Sequence, residues 1–302
     1  MKKILIFLLL ALSIQTSYSA EINLNGLKIN LKQDQSYIKD FSYKFYLEGS
    51  WLNGGIPEDM KRIMWDDHKN MGFKENDKAL IVGPSRYLEA LKEMHTVFNN
   101  EKKMSIKTLQ ESHILQNAIW ACRNEKSKKK IYKCYIDKAG LNYSFLFAYA
   151  SNKNNGIVED ISYLGPKELS KQISKFVKEN INKKYINYKS IKSIIGVNSN
   201  GNIFIEIRVS SKLYEGMGSM ETRVFLTIIE DRIFSAKLDC LDKNYCNKAN
   251  EDFMKIFNQV VEIDSNTLTA DLTNEKQLME FIGTAQRAYR ATQIAKFLIL
   301  LL

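Results

Sequence analysis

Two hydrophobic periods alternate along this chain. Some short stretches repeat apolar residues at every second position, as half-buried strands do, and others at every third and fourth, as amphipathic helices do. Residues 22–31, Ile-Asn-Leu-Asn-Gly-Leu-Lys-Ile-Asn-Leu, alternate and predict a first strand, with Gly26 at a turn or bulge. The aromatic-rich stretch 41–51 predicts a second strand. Pro57-Glu58-Asp59 suits the first turn of a helix running to about Asn70. Ser85 can cap a further helix whose stripe is Tyr87, Leu91, Met94 and Phe98, and residues 105–117 continue helically. Residues 117–137 read as a β-hairpin with a lysine-rich tip.

The second half is more regular. Leu141, Tyr143, Phe145, Phe147 and Tyr149 alternate in a strand, and 151–156 form a loop. Gly165-Pro166 opens a helix with Leu169, Ile173, Phe176, Val177 and Ile181 on one face. Strands follow at 186–197 and 203–209, joined by an Asn/Gly turn, then at 224–229 and 233–241 around Glu230-Asp231-Arg232. A helix at 249–263 turns Phe253, Ile256, Phe257 and Val260 inward. The fold class is therefore α+β: an antiparallel sheet flanked by helices, an α/β/α sandwich, with an N-terminal α+β elaboration. The expected organisation is a leader at 1–20, an N-terminal region at 21–140, the sandwich at 141–263 and a helical tail at 264–302.

The leader rests on order and length. Met1-Lys2-Lys3 is a positive head, Ile4 to Leu12 is apolar, and small Ser19 and Ala20 follow. That is the layout of a secretory signal peptide, with cleavage after Ser19 or Ala20. The apolar run is too short to span a bilayer, which takes about 20 helical residues. Export to the periplasm or outside the cell is thus expected.

Cys122, Cys134, Cys240 and Cys246 all lie beyond the leader, and an even count in an exported chain favours disulfides. The pairs 122–134 and 240–246 fit the local pattern. In the first, a β-hairpin register would set Trp120 opposite Ile136; the second closes a short loop between a strand and a helix. Structural zinc sites place their cysteines closer together, and no Cys-x-x-Cys occurs, so neither a metal nor a redox-active pair is expected.

Within 141–263, Phe145-Leu-Phe-Ala-Tyr-Ala is followed by Asp160-Ile-Ser-Tyr-Leu-Gly-Pro-Lys-Glu-Leu-Ser-Lys-Gln-Ile. Later come Arg223-Val-Phe-Leu-Thr-Ile-Ile-Glu-Asp-Arg-Ile-Phe-Ser-Ala and Glu251-Asp-Phe-Met-Lys-Ile-Phe-Asn-Gln-Val-Val. This order resembles the PsbP-like superfamily, which includes the DcrB-type bacterial envelope proteins. The resemblance implies an α/β/α sandwich with a binding or adaptor role and no enzymatic chemistry. It transfers no functional residues, and both cysteine pairs are additions to the pattern.

The chain has 302 residues, 45% hydrophobic and 26% charged, with a formal net charge of +10. That composition excludes a disordered polyelectrolyte and a polytopic membrane protein. No Gly-x-Ser-x-Gly, phosphate-binding Gly-rich loop or His-Glu-x-x-His is present, and His68, His95 and His113 lie too far apart for a helical metal pair. No catalytic residue, metal or cofactor is expected. Asp66-Asp67-His68 is the most polar cluster, and a hydrolase or metal-dependent enzyme using it is the alternative. The basic run Lys126–Lys133 is either a solvated tip or a contact for anionic lipid or an acidic surface. The Met-rich loop Gly216–Met220, with Glu215 just before it, is a mobile loop or a protein contact. For the tail, with Arg287, Arg290, Lys296 and terminal Phe297–Leu302, three readings stand: docking on the protein's own core, dipping into a membrane face, or a truncated anchor. The leading expectation is a non-catalytic envelope binding or adaptor protein. Its partner would be an envelope protein or a membrane surface, not nucleic acid.

Overall fold

The computed structural model describes residues 18–50, 66, 68–101, 108, 110–153, 171, 187–212 and 219–288. Residues 1–17 of the expected leader, most of the helix expected at 57–70, most of the helix expected at 165–181, the centre of the Met-rich loop and the last 14 residues, 289–302, lie outside them.

The chain opens with a hairpin of β1 (Tyr18–Leu24) and β2 (Leu27–Lys32). Asn25 and Gly26 make its two-residue turn, both at positive φ (52° and 98°), the conformation that matches the strand twist. Leader cleavage after Ala20 would remove Tyr18, Ser19 and Ala20 from β1 and leave Glu21–Leu24 paired to β2. Next come β3 (Tyr37–Ser42), α1 (Tyr43–Ser50), β4 (Lys78–Val82) and α2 (Ser85–Glu101), then α3 (His113–Cys122) and α4 (Lys128–Ala139). The strands β5 (Tyr143–Tyr149), β6 (Asn187–Val197), β7 (Ile203–Lys212), β8 (Ser219–Ile229) and β9 (Arg232–Cys240) follow. The described chain ends with α5 (Lys243–Val261), β10 (Leu268–Asp271) and α6 (Glu275–Ala288).

The α+β class holds. Eight strands form one antiparallel sheet in the order β10-β6-β7-β8-β9-β5-β4-β3. A boundary at residue 140 cuts through this sheet, because β3 and β4 from the N-terminal region pair onto β5. The region 21–140 thus extends the same layer. The tail expected to be helical from 264 first adds an edge strand, β10, beside β6.

One sheet face carries Leu80, Val82, Phe145, Phe147, Phe225 and Phe234, covered by α5 and the β1–β2 hairpin. Alternate positions reach this face because a strand turns successive side chains to opposite sides. Phe253 and Phe257 of α5 lie one turn apart and stack on it, Phe253 against Phe147 (5.5 Å) and Phe257 against Phe225 (4.2 Å). The other face carries Ala79, Ile81, Leu146 and Ala148 beneath α2 and α3, and Ile195, Ile203 and Ile205 beneath α6.

Two expected elements are corrected. The strand at 41–51 ends at Ser42, and Tyr43 begins a helix; the Tyr43 N–H still reaches the Asp77 carbonyl (2.9 Å) in the β3–β4 register, and the Ser42 hydroxyl accepts the Phe45 N–H (3.3 Å), capping the new helix. The β-hairpin at 117–137 is two helices, α3 and α4. Ser112 and Ser127 cap their N-termini by accepting from Leu115 N–H and Lys130 N–H, each at 3.3 Å. Gly140 ends α4 at φ +73°, and a Cβ there would sit 3.0 Å from the Tyr87 nitrogen, so glycine fits both the backbone and the space.

Candidate functional site

The structure joins Cys122 to Cys134 and Cys240 to Cys246. The second bridge ties the end of β9 to the first turn of α5, behind the Asp242 N-cap, and so sets α5 on its sheet face. The first ties α3 to α4, with Cα atoms 5.8 Å apart. The register argued for a β-hairpin does not apply; the packing of α3 against α4 places the two sulfurs together instead.

This helical hairpin is held at its base by α2. The Glu93 carboxylate accepts from the Ser112 hydroxyl (2.8 Å), placing an anion at the start of α3. Arg86 donates to the Lys138 carbonyl (2.9 Å), placing a cation at the end of α4. Both charges oppose the helix dipoles they face. Leu115, Ala118, Ile136 and Ala139 are buried toward the body, and every residue from Arg123 to Ile131 is exposed.

The outward side has unusual chemistry. Trp120 is 66% exposed, Ile119 53% and Ile131 40%. Among the described residues, the only other large exposed apolar side chain is Tyr245. Trp120 is also held in place: Arg123 donates to its carbonyl (2.8 Å) and lays its guanidinium 3.6 Å from the ring centre. From Arg123 to Lys133 there are six basic side chains and one acid, Glu125. Burial pushes the Tyr132 phenol up to about 12.

The cluster at Asp66–His68 is arranged differently from an acid–base pair. Asp66 is exposed and meets Lys69 at 3.5 Å. His68 turns inward, its Nδ1 3.0 Å from the Tyr43 hydroxyl, with Phe73 beside it. Burial lowers its pKa to about 4, so the ring is neutral near pH 7. Asp67 lies outside the described residues. His95 packs on Phe41 and Phe45 and accepts the Ser42 N–H (3.3 Å), and His113 is exposed. Among the described residues, no three His, Cys, Asp or Glu side chains are arranged to hold a metal ion.

Two polar networks lie inside the fold. Asp239 accepts from Thr222 (2.7 Å) and Tyr46 (3.1 Å) and pairs with Lys237 (2.8 Å); burial, then this carboxylate, raise the Tyr46 pKa. Glu206 is buried between Arg208 and Arg223, and Arg223 also reaches Asn250, which pins α5 to β8. Both networks bond their own members. An open cleft of about 320 Å³ lies between Ser36, Tyr37 and the first turns of α2.

No protein-family model matches this chain, and no curated protein matches it. Among the described residues, no helix is long and apolar enough to cross a membrane.

The exposed apolar side chains were missed by sequence reasoning, which set Trp120 opposite Ile136 on one face of a β-hairpin. The signal was present. Leu115, Ala118 and Cys122 repeat at helical spacing, and that stripe leaves Trp120 on the far side.

Proposed function

We propose that this chain is an exported, periplasmic, non-catalytic binding or adaptor protein of the cell envelope, and that the α3–α4 hairpin is its contact surface. The observation that carries this reading is the exposure of Trp120, Ile119 and Ile131 on a cationic, disulfide-joined hairpin. Large exposed apolar side chains rimmed by charge mark interaction sites. The leader-like N-terminus and the two disulfides support an oxidising compartment, and the PsbP-like order of residues 141–263 supports a binding role.

Two measurements test the reading together. In a bacterial host the chain should fractionate with the periplasm, lose its leader and resist alkylation until reduced. Envelope extracts should then yield a protein or lipid partner on the intact hairpin, and Trp120→Ala should release it. Alkylation of all four thiols in unreduced protein, or capture unaffected by Trp120→Ala, refutes the proposal.

A further inference from the structure

We propose that the α3–α4 hairpin docks on an anionic phospholipid surface, with Trp120 and Ile119 entering the headgroup layer and the tip lysines over the lipid phosphates. This rests on the adaptor reading above and names what its contact surface meets.

Charge and shape favour lipid over a protein partner. Trp120 is amphipathic, with an apolar body and one N–H, and such rings settle at the boundary between headgroups and acyl chains. Ile119 precedes it on the same helix and Ile131 lies on the joined helix, all without a covering layer among the described residues. Around them, Lys126, Lys128, Lys129, Lys130 and Lys133 are exposed, with Arg123 over the indole. Lysine-rich surfaces suit a diffuse negative plane, where the flexible ammonium groups need no fixed partner. Protein interfaces instead favour arginine and are depleted in lysine. The bridge and the two α2 contacts at the base hold the hairpin's position without burying its tip.

The test uses the full chain without its leader and vesicles of phosphatidylcholine with or without phosphatidylglycerol. Sedimentation should show binding to the anionic vesicles, weakened by salt, and little to the neutral ones. Lys126→Gln/Lys129→Gln/Lys130→Gln should weaken binding about a hundredfold, since each cation near an anionic surface contributes about fivefold. Ile119→Ser/Trp120→Ser should weaken it at least about tenfold. Lipids brominated near the headgroup should quench a component of tryptophan emission that Trp120→Phe removes, which separates this site from Trp51, Trp65 and the apolar C-terminus. That quenching is read on protein of unaltered fold, so it stands even if the triple variant proves unstable.

Equal binding to neutral vesicles, undiminished binding by the lysine variant, or quenching unchanged by Trp120→Phe overturns the proposal. If vesicles fail but a Trp120-dependent envelope protein is captured, the lipid inference falls and the adaptor reading stands. If neither binds, both fall.

Discussion

Replacing Cys122 and Cys134 with alanine removes a cross-link between residues 12 apart in sequence. In the chain-entropy account, a loop of that length restricts the unfolded ensemble by about 3 kcal/mol, against about 2 kcal/mol for the six-residue separation of Cys240–Cys246. The hairpin meets the body through buried Leu115, Ala118, Ile136 and Ala139 and half-buried Ile114 and Tyr135, with Glu93 and Arg86 at the base. Loss of the bridge should therefore act in two ways. Urea unfolding should lose about 3 kcal/mol through a lower midpoint. Amides of α3 and α4 should also exchange faster than those of β5 and β9, because the hairpin can open as a unit of its own. Reduction of the wild-type bridge should reproduce the exchange pattern. A loss below about 1 kcal/mol, or exchange that rises evenly across the molecule, would refute the argument that this bridge stabilises a semi-independent hairpin.

Two further outcomes follow from the core and from His68. Gly196→Ala should destabilise by about 1–3 kcal/mol in a thermal or urea melt, because its Cβ would fall 2.3 Å from the ring of Phe204, its cross-strand partner; Phe204→Leu should recover part of that loss, and a neutral Gly196→Ala refutes the close approach. His68 is held neutral, with a pKa lowered from 6.5 to about 4 by burial, so between those values the unfolded chain binds more protons and stability falls as pH drops. The decline should reach no more than about 3 kcal/mol by pH 4, and His68→Gln should flatten that part of the profile; an unchanged profile counts against the buried ring.

The helices α2 and α5 were legible because each has one wet face, and the strands from β5 to β9 because large apolar residues alternate along them with smaller or polar ones, as Phe145, Phe147 and Tyr149 do with Ser144, Leu146 and Ala148. β4 was not. Lys78-Ala-Leu-Ile-Val is buried on both faces, Leu80 and Val82 on one side and Ala79 and Ile81 on the other, so nothing alternates. β10 has only four residues, too few to show a period. The error at 117–137 has a different source. Ile, Trp, Tyr and Cys favour strands taken singly, but Ser112, Ser127 and Gly140 punctuate helices, and the lysines between are good helix formers. The cysteine pairing survived this error because both readings bring the same two sulfurs together. The candidate site was half legible: its charge was plain in the lysine run, whereas its apolar part depended on which side of an element Trp120 occupied.

The seam between β5 and β9 has a consequence for biogenesis. Tyr143–Tyr149 pairs with Phe234–Cys240, across up to about a third of the chain. Until ribosomes have delivered that later segment, β3, β4 and β5 can pair only with one another, and Phe147 lacks the α5 rings that stack on it. A polypeptide whose central stitch closes so late reaches its continuous sheet only when about four-fifths of it has been made.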